Sequence, residues 1–232
     1  MIRLAKYIAE TGYCSRRGAS RLIDAERVTV NTRPAHHIDR ISDIDQVHVD
    51  GQLLNTSVER VYWLYNKPVG VDCACKTDDK SSIIHRLPMS PRVFPVGRLD
   101  KDSHGLLLLT NDGELCHQLI HPDFYHEKEY LVTVDNNVTD TFLKTMTNGV
   151  HYGDVHTRPC KIEQTSSDSF HITLTEGKNR QIRKMCKALG FRVTNLQRLR
   201  ILNLTLSDLG TDQILPITES KLKVLISSVK PL

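Results

Sequence analysis

The stretch GRLDKDSHGLLLLTNDG, Gly97 to Gly113, sets Arg98, Asp100, Lys101 and Asp102 directly before the four leucines Leu106 to Leu109. LLLLT reads as a strand, and the acid-rich knot ahead of it as the turn that leads in. Charged groups are costly to bury unless they are paired or used. In an extended segment Asp100 and Asp102, two residues apart, turn to the same side, where their repulsion raises one pKa unless a cation intervenes. Arg98 and Lys101 are the local candidates for that cation. Taken alone, the knot also fits a solvated turn that caps the strand.

Working outward, strand-like runs recur at 61–65, 106–110, 129–134, 170–175, 192–196 and 200–206. Helical patterns separate them around 112–120, 138–148 and 179–189. That order predicts an α+β fold, a mixed and mainly antiparallel sheet with helices packed on it.

The 232 residues and 39% hydrophobic content suffice for a large domain with a small one beside it. No apolar run approaches the roughly 18 residues of a membrane span, and Arg3, Lys6 and Glu10 interrupt what would be a signal's apolar region. A cytoplasmic protein without a membrane partner is expected. Six cysteines scattered over a chain of this length suit a reducing compartment. Cys73 and Cys75 form C-x-C without a second pair, so no metal site is expected, and His36 and His37 read as structural or surface residues.

The first 56 residues read as a separate module, with the remainder, 57–232, as the main domain. Leu4, Tyr7 and Ile8 have helical spacing with Gly12 as a stop, and Ser15 caps a second helix that turns Ala19, Leu22 and Ile23 to one face. VTVN at 28–31 and VHVDGQLL at 47–54 are strand signals, the latter with Asp50-Gly51 as a hairpin turn. Arg3, Lys6, Arg16, Arg17, Arg21 and Arg27 outnumber the acids of this module. Such clusters are either solvated helix faces or phosphate contacts.

Two further stretches bear on chemistry. HEKEYLVTV, 126–134, places Tyr130, Val132 and Val134 on one strand face, so a phenol sits at the edge of an apolar wall. EGKNRQIRKMCKALG, 176–190, puts Ile182, Met185, Cys186 and Leu189 at amphipathic spacing. From Lys178 to Ser207 there are eight basic residues (178, 180, 183, 184, 187, 192, 198, 200) and no acid, so a chain of net charge +4 is −4 without them. A one-sign stripe suits a polyanion backbone.

G-R-L-D-x-x-S-x-G-L-L at 97–107, K-x-Y at 128–130 and G-K-N-R-Q-I-R at 177–183 together resemble the three active-site motifs of the RsuA/RluA-type pseudouridine synthases, with NKPVG at 66–70 as a further family element. The resemblance spans roughly residues 60–207. NKPVGVDC, RVFPVGRLDKDS, HEKEYLVTVD and NRQIRKMC look most like the large-subunit subgroup designated F, which carries an N-terminal S4 domain. The helix, turn, arginine-rich helix and V-x-V-N strand of residues 1 to about 54 resemble that S4 RNA-binding domain, departing from it at Thr32, where the family usually has glycine. At 210–218, GTDQILPIT replaces the G-x-W-R-like segment of the subgroup.

The resemblance implies isomerisation of a specific uridine in folded RNA, most simply large-subunit (23S) ribosomal RNA, by a monomer that needs no cofactor and no metal. It implies Asp100 as the nucleophile, attacking either C6 of the base or C1′ of the sugar. Tyr130 would stack on the uracil and take the C5 proton; Arg183 would be the guanidinium that keeps the carboxylate ionised. Because the base must leave its stack first, Arg98 would fill the vacated space or grip the displaced strand. Arg3, Lys6, Arg16, Arg17, Arg21, Lys178, Arg180, Lys184 and Lys187 would contact RNA. The alternatives are a non-catalytic S4-type RNA-binding protein, a synthase acting on small-subunit rRNA or tRNA, and a hydrolase holding magnesium on Asp100, Asp102 and Glu127 or Glu129.

Overall fold

Leu106, Leu107, Leu108 and Leu109 are all 0% exposed, so the strand they form is buried on both faces, which is why its apolar residues run on without alternation. The computed structural model describes residues 1–54, 58–207 and 209–229. These gather into two units: one holds Met1–Val61, Leu87–Phe94 and Asn111–Gly113, the other Tyr62–Arg86, Pro95–Thr110 and Glu114–Leu232. The expected domain boundary at 56/57 falls on residues outside those described.

In the first unit, β1 (Ile2–Arg3) leads into α1 (Leu4–Glu10) and α2 (Arg16–Asp24). Ser15 caps α2 by accepting the Gly18 N–H at 3.0 Å. β2 (Val28–Val30), β3 (Arg33–Pro34), β5 (Val47–Val49) and β6 (Gln52–Leu53) pair in the order β3-β2-β5-β6, while β4 (Arg40–Ile41) pairs with β1. Leu4, Ile8, Ala19, Ile23, Val28, Val47 and Val49 form their shared core. Asp50 and Gly51 both have positive φ, +50° and +78°, the conformation of the expected hairpin turn. The turn from β2 to β3 uses the same left-handed region at Asn31 and Thr32, φ +49° and +73°. A β-branched residue is strained there, which explains why glycine suits that position.

The second unit is built on one sheet. Its strands are β7 (Tyr62–Lys67), β9 (His104–Thr110), β10 (Lys128–Val134), β13 (Lys161–Gln164), β14 (Ser169–Leu174), β15 (Val193–Ile201) and β17 (Ile214–Pro216), in the order β13-β14-β10-β15-β9-β7-β17. β8 (Phe94–Pro95) pairs with β9 and β16 (Leu204–Thr205) with β15; β11 (His151–Tyr152) and β12 (Val155–His156) form a hairpin of their own. Pairing along the main order is antiparallel except between β9 and β15, which run parallel through Gln197 to His104 and Arg198 to Gly105. Helices α4 (Asp140–Asn148) and α5 (Gln181–Ala188) bury Phe142, Met146, Ile182 and Met185 against β10, β14 and β15. Helices α3 (Gly113–Ile120) and α6 (Glu219–Ser228) cover Leu106 and Leu108 with Leu115, Leu119 and Leu225. The mixed, mainly antiparallel sheet with flanking helices is thus as expected.

One expectation about a strand fails. Residues 192–196 and 200–206 read as two strands, but β15 runs unbroken from Val193 to Ile201. Gln197 and Arg198 look like a polar interruption, yet they carry the parallel ladder to β9.

Candidate active site

The acidic turn is held from three directions. Ser103 N–H closes it onto the Asp100 carbonyl at 3.0 Å, Gly70 N–H reaches the Lys101 carbonyl at 2.7 Å, and Leu99 N–H meets Cys73 Sγ at 3.4 Å. Arg183 supplies the fourth tie: its Nη2 donates to the Asp102 carbonyl at 2.8 Å and to Ser103 Oγ at 3.1 Å, and its Nη1 to the Val193 carbonyl at 3.2 Å. Lys67, fully buried, donates to the Pro68 and Val71 carbonyls at 2.9 and 2.8 Å. Burial pushes its pKa down, with Asp100 and Asp102 among the negative groups that oppose the shift.

Asp100 opens into a cavity of about 620 Å³ whose lining includes Arg98, Lys128, Tyr130, Leu196 and Arg198. Strand geometry explains the company. Lys128 and Tyr130 are two apart on β10 and share a face, and Tyr130 lies directly opposite Arg198 on β15. A bulge sits where Glu129 pairs with Arg200 while Tyr130 pairs with Arg198. It lets Arg198 and Ile201 both line the cavity while Arg200 pairs with Glu129, away from it.

The Asp100 side chain keeps 30% of its exposure because it faces the open cavity, so it is partly, not largely, desolvated. Its nearest guanidinium is Arg180, with Nη1 3.8 Å from Oδ2. Arg180 also grips Asp102 in a two-pronged pair at 3.0 and 2.6 Å, which holds the Asp102 carboxyl below the usual range, assisted by the charge of Arg183. The expected pairing of Arg183 with Asp100 is therefore corrected. Arg183 lies inside α5, and its fork is taken up by the turn's backbone, whereas Arg180 precedes the helix in a left-handed conformation, φ +51°. The intervening cation is neither Arg98 nor Lys101, both exposed, but one brought from far along the chain.

The basic stripe of 178–200 does not survive folding as a stripe. Arg183 and Arg198 are taken inside, Arg192 pairs with Asp135 at 3.4 Å, and Arg200 pairs with Glu129 at 2.7 Å and Glu127 at 3.0 Å. Lys178 pairs with Glu176, and Lys184 and Lys187 remain exposed on α5. In the first unit Arg3, Arg16, Arg17 and Arg21 are exposed, and Lys6 pairs with Glu10 at 3.5 Å. Glu127 and Glu129, which a magnesium-holding reading needs beside Asp100 and Asp102, are instead engaged by Arg200 and Lys161, the latter 3.0 Å from Glu127.

The model of the family described as RNA pseudouridylate synthase matches residues 61–188, and that of the S4 domain residues 2–36. This chain belongs to the RNA pseudouridylate synthase family. Family members are isomerases that convert uridine to pseudouridine in RNA. The chain is 42% identical over 223 residues to the dual-specificity RNA pseudouridine synthase RluF of Escherichia coli O6:H1, covering 95% of this chain and 77% of that one. It is 34% identical over 234 residues to ribosomal large subunit pseudouridine synthase B of Bacillus subtilis, covering 96% and 95%. A crystal structure of a pseudouridylate synthase superposes with a TM-score of 0.71 at 31% identity, covering 97% of this chain and all of the other.

Three residues of this site stand within stretches singled out in the sequence but received no role of their own there. Lys128 opens the K-x-Y stretch, and the alternation that turns Tyr130 to the wall turns Lys128 there too. Arg198 belongs to the basic run and lay in the supposed gap between strands. Lys67 belongs to NKPVG, where nothing local marks it as a buried cation under the turn. No helix among the described residues is long and apolar enough to cross a membrane.

Proposed function

We propose that this chain isomerises uridine in RNA to pseudouridine, with residues 1–56 as an S4-like RNA-binding domain and 57–232 as the catalytic domain. The observation that carries the reading is the convergence of Asp100, Tyr130 and Arg98 on one cavity of about 620 Å³, at a turn braced by Arg183. The reaction breaks N1–C1′, turns the ring, joins C5 to C1′, and exchanges the C5 proton for one on N1. Asp100 attacks, with the Arg180 guanidinium 3.8 Å from its carboxylate. Tyr130 stacks on the ring and accepts the C5 proton. Arg183 acts as a positioning residue through the turn it holds, and Arg98, exposed at the cavity, enters the space the extruded base leaves.

Because the isomerisation is redox-neutral and adds no group, the proposed enzyme works without metal, nucleotide or organic cofactor, as a cytoplasmic monomer. Large-subunit ribosomal RNA is the proposed substrate, supported by the name of the Bacillus subtilis relative. Exposed Arg3, Arg16, Arg17, Arg21, Lys184 and Lys187, with Lys6, Lys178 and Arg180, contact its phosphates.

Asp100→Asn tests the assignment. The variant is expected to release no tritium from RNA labelled at C5 of uridine while binding that RNA within about threefold of wild type, since a carboxylate does not attract phosphate. Tritium release by the Asn variant overturns the nucleophile assignment, and none from wild type leaves an S4-type binding protein. Carbodiimide mapping of a deletion strain, complemented by wild type or Asp100→Asn, identifies the RNA. A stop lost only from small-subunit rRNA or tRNA overturns the large-subunit proposal.

A further inference from the structure

The cavity that Asp100 lines also carries two cations that the proposed chemistry does not use. Arg198 is 3% exposed; its Nε donates to the Leu106 carbonyl at 2.7 Å, but its Nη2 is buried without a hydrogen-bond acceptor among the described residues. Lys128 Nζ meets one acceptor there, the His126 carbonyl at 3.0 Å. An ammonium has three N–H donors, so two are spare. Burial and the charge of Arg198 push the Lys128 pKa down to about 8. No carboxylate pairs with either residue among the described residues, while Asp100 is engaged by Arg180. Leu174, Leu196 and Ile201 surround them in the same lining.

An unmet donor on a buried guanidinium and a lysine without a counter-charge both cost stability. Such donors fit an acceptor that arrives from outside. A phosphate would bring its charge into the cavity that Asp100 lines. A neutral ring with two carbonyl oxygens meets the donors without that repulsion. Uracil is such a ring; cytosine replaces one carbonyl with an amino group, whose N–H would point at a cation.

We infer that Lys128 and Arg198 read the extruded base, donating to the two carbonyl oxygens of uracil and rejecting cytosine. The inference rests on the synthase reading above and adds the residues that select the base. The pair also assists the chemistry. When N1–C1′ breaks, its electron pair stays on the ring, shared by N1, O2 and O4, and donors already aimed at the oxygens stabilise that charge. Rejoining through C5 releases the C5 proton and N1 takes one up, so the ring returns to neutrality.

Lys128→Met, which keeps the stem and removes the charge, tests this on unmodified large-subunit ribosomal RNA transcripts carrying 5-tritiated uridine. The single-turnover rate is expected to fall about 100-fold, RNA affinity to change less than about threefold, and the melting temperature to rise, because a half-buried cation without a carboxylate partner is gone. Lys128→Arg, which restores donors, is expected to recover part of the rate. Transcripts with 2-thiouridine or 4-thiouridine, poorer acceptors, should slow wild type and leave Lys128→Met little further affected by one of the two. Wild-type turnover by Lys128→Met overturns the pair, as does a joint loss of rate and melting temperature, the mark of a structural support. A wild-type protein that releases no tritium overturns the synthase reading itself, and the pair with it.

Discussion

Gly105→Ala is expected to open the sheet at the point where it carries the site. Gly105 has φ +102°, and a Cβ placed there would lie 2.4 Å from the Arg198 carbonyl oxygen, 2.8 Å from its nitrogen and 3.1 Å from its carbonyl carbon. These are backbone atoms, so no rotamer change relieves the contact. Restoring ordinary separation moves β15 from β9 by roughly 1 Å, on the scale at which packing contacts are forfeited. The parallel ladder there consists of the pairs Gln197–His104 and Arg198–Gly105. Losing one or two of its hydrogen bonds costs about 1–2 kcal/mol. Forcing alanine to positive φ adds about 1–2 kcal/mol, and overpacking about 1–3 kcal/mol. The sum, about 3–7 kcal/mol, is a large share of the ~5–15 kcal/mol that holds a domain. Urea unfolding followed by fluorescence of the single tryptophan reads the correct region, since Trp63 pairs with Leu109 across β7 and β9. Gly113→Ala, where a Cβ meets nothing within 4 Å, is the control and should be neutral or better. Should Gly105→Ala unfold within about 1 kcal/mol of wild type, the close approach of β15 is wrong and so is the placement of Arg198.

Two more outcomes follow from the first unit. Thr32→Gly relieves a β-branched residue at φ +73° in an exposed turn and should stabilise that unit by up to about 1 kcal/mol, read as a rise in melting temperature; a fall would mean that its side chain contributes more than its backbone strain costs. The Asp45 carboxylate accepts from Ser42 Oγ at 2.6 Å, Ser42 N at 2.8 Å and Asn31 Nδ2 at 2.6 Å, bonds that lower its pKa to about 2. Its folded pKa lies below its unfolded value, so its contribution is complete above about pH 4 and is lost as pH falls through about 2. Asp45→Asn should flatten that acid limb of a melting-temperature profile, and an unchanged limb would refute the assignment.

The sequence was most legible where one local rule acts alone. Ser15 announced α2, Asp50-Gly51 the hairpin, and the leucine run β9. The acidic turn was legible as a chemical oddity, but not its cation, because Arg180 and Asp102 meet only after β9 and α5 are brought together. The eight bases between 178 and 200 looked like one surface because charge in a linear string carries no direction. The bulge opposite Glu129 and Tyr130 sends Arg198 into the cavity and Arg200 to Glu129, while α5 turns Arg183 onto the acidic turn and leaves Lys184 and Lys187 exposed. Arg198 was unreadable for the same reason: a polar residue inside a strand looks like a break until a site requires it.

The parallel contact of residues 104–105 with 197–198 also sets a clock on the newborn chain. Antiparallel neighbours such as β7 and β9 can zip as they emerge from the ribosome, whereas this distant pairing must wait until residues 197–198 have followed 104–105 out. The N-terminal unit can therefore be complete and exposed to solvent while the wall bearing Arg198 is still unsynthesised. Until residue 198 has been made, the chain carries Asp100 but no chamber around it.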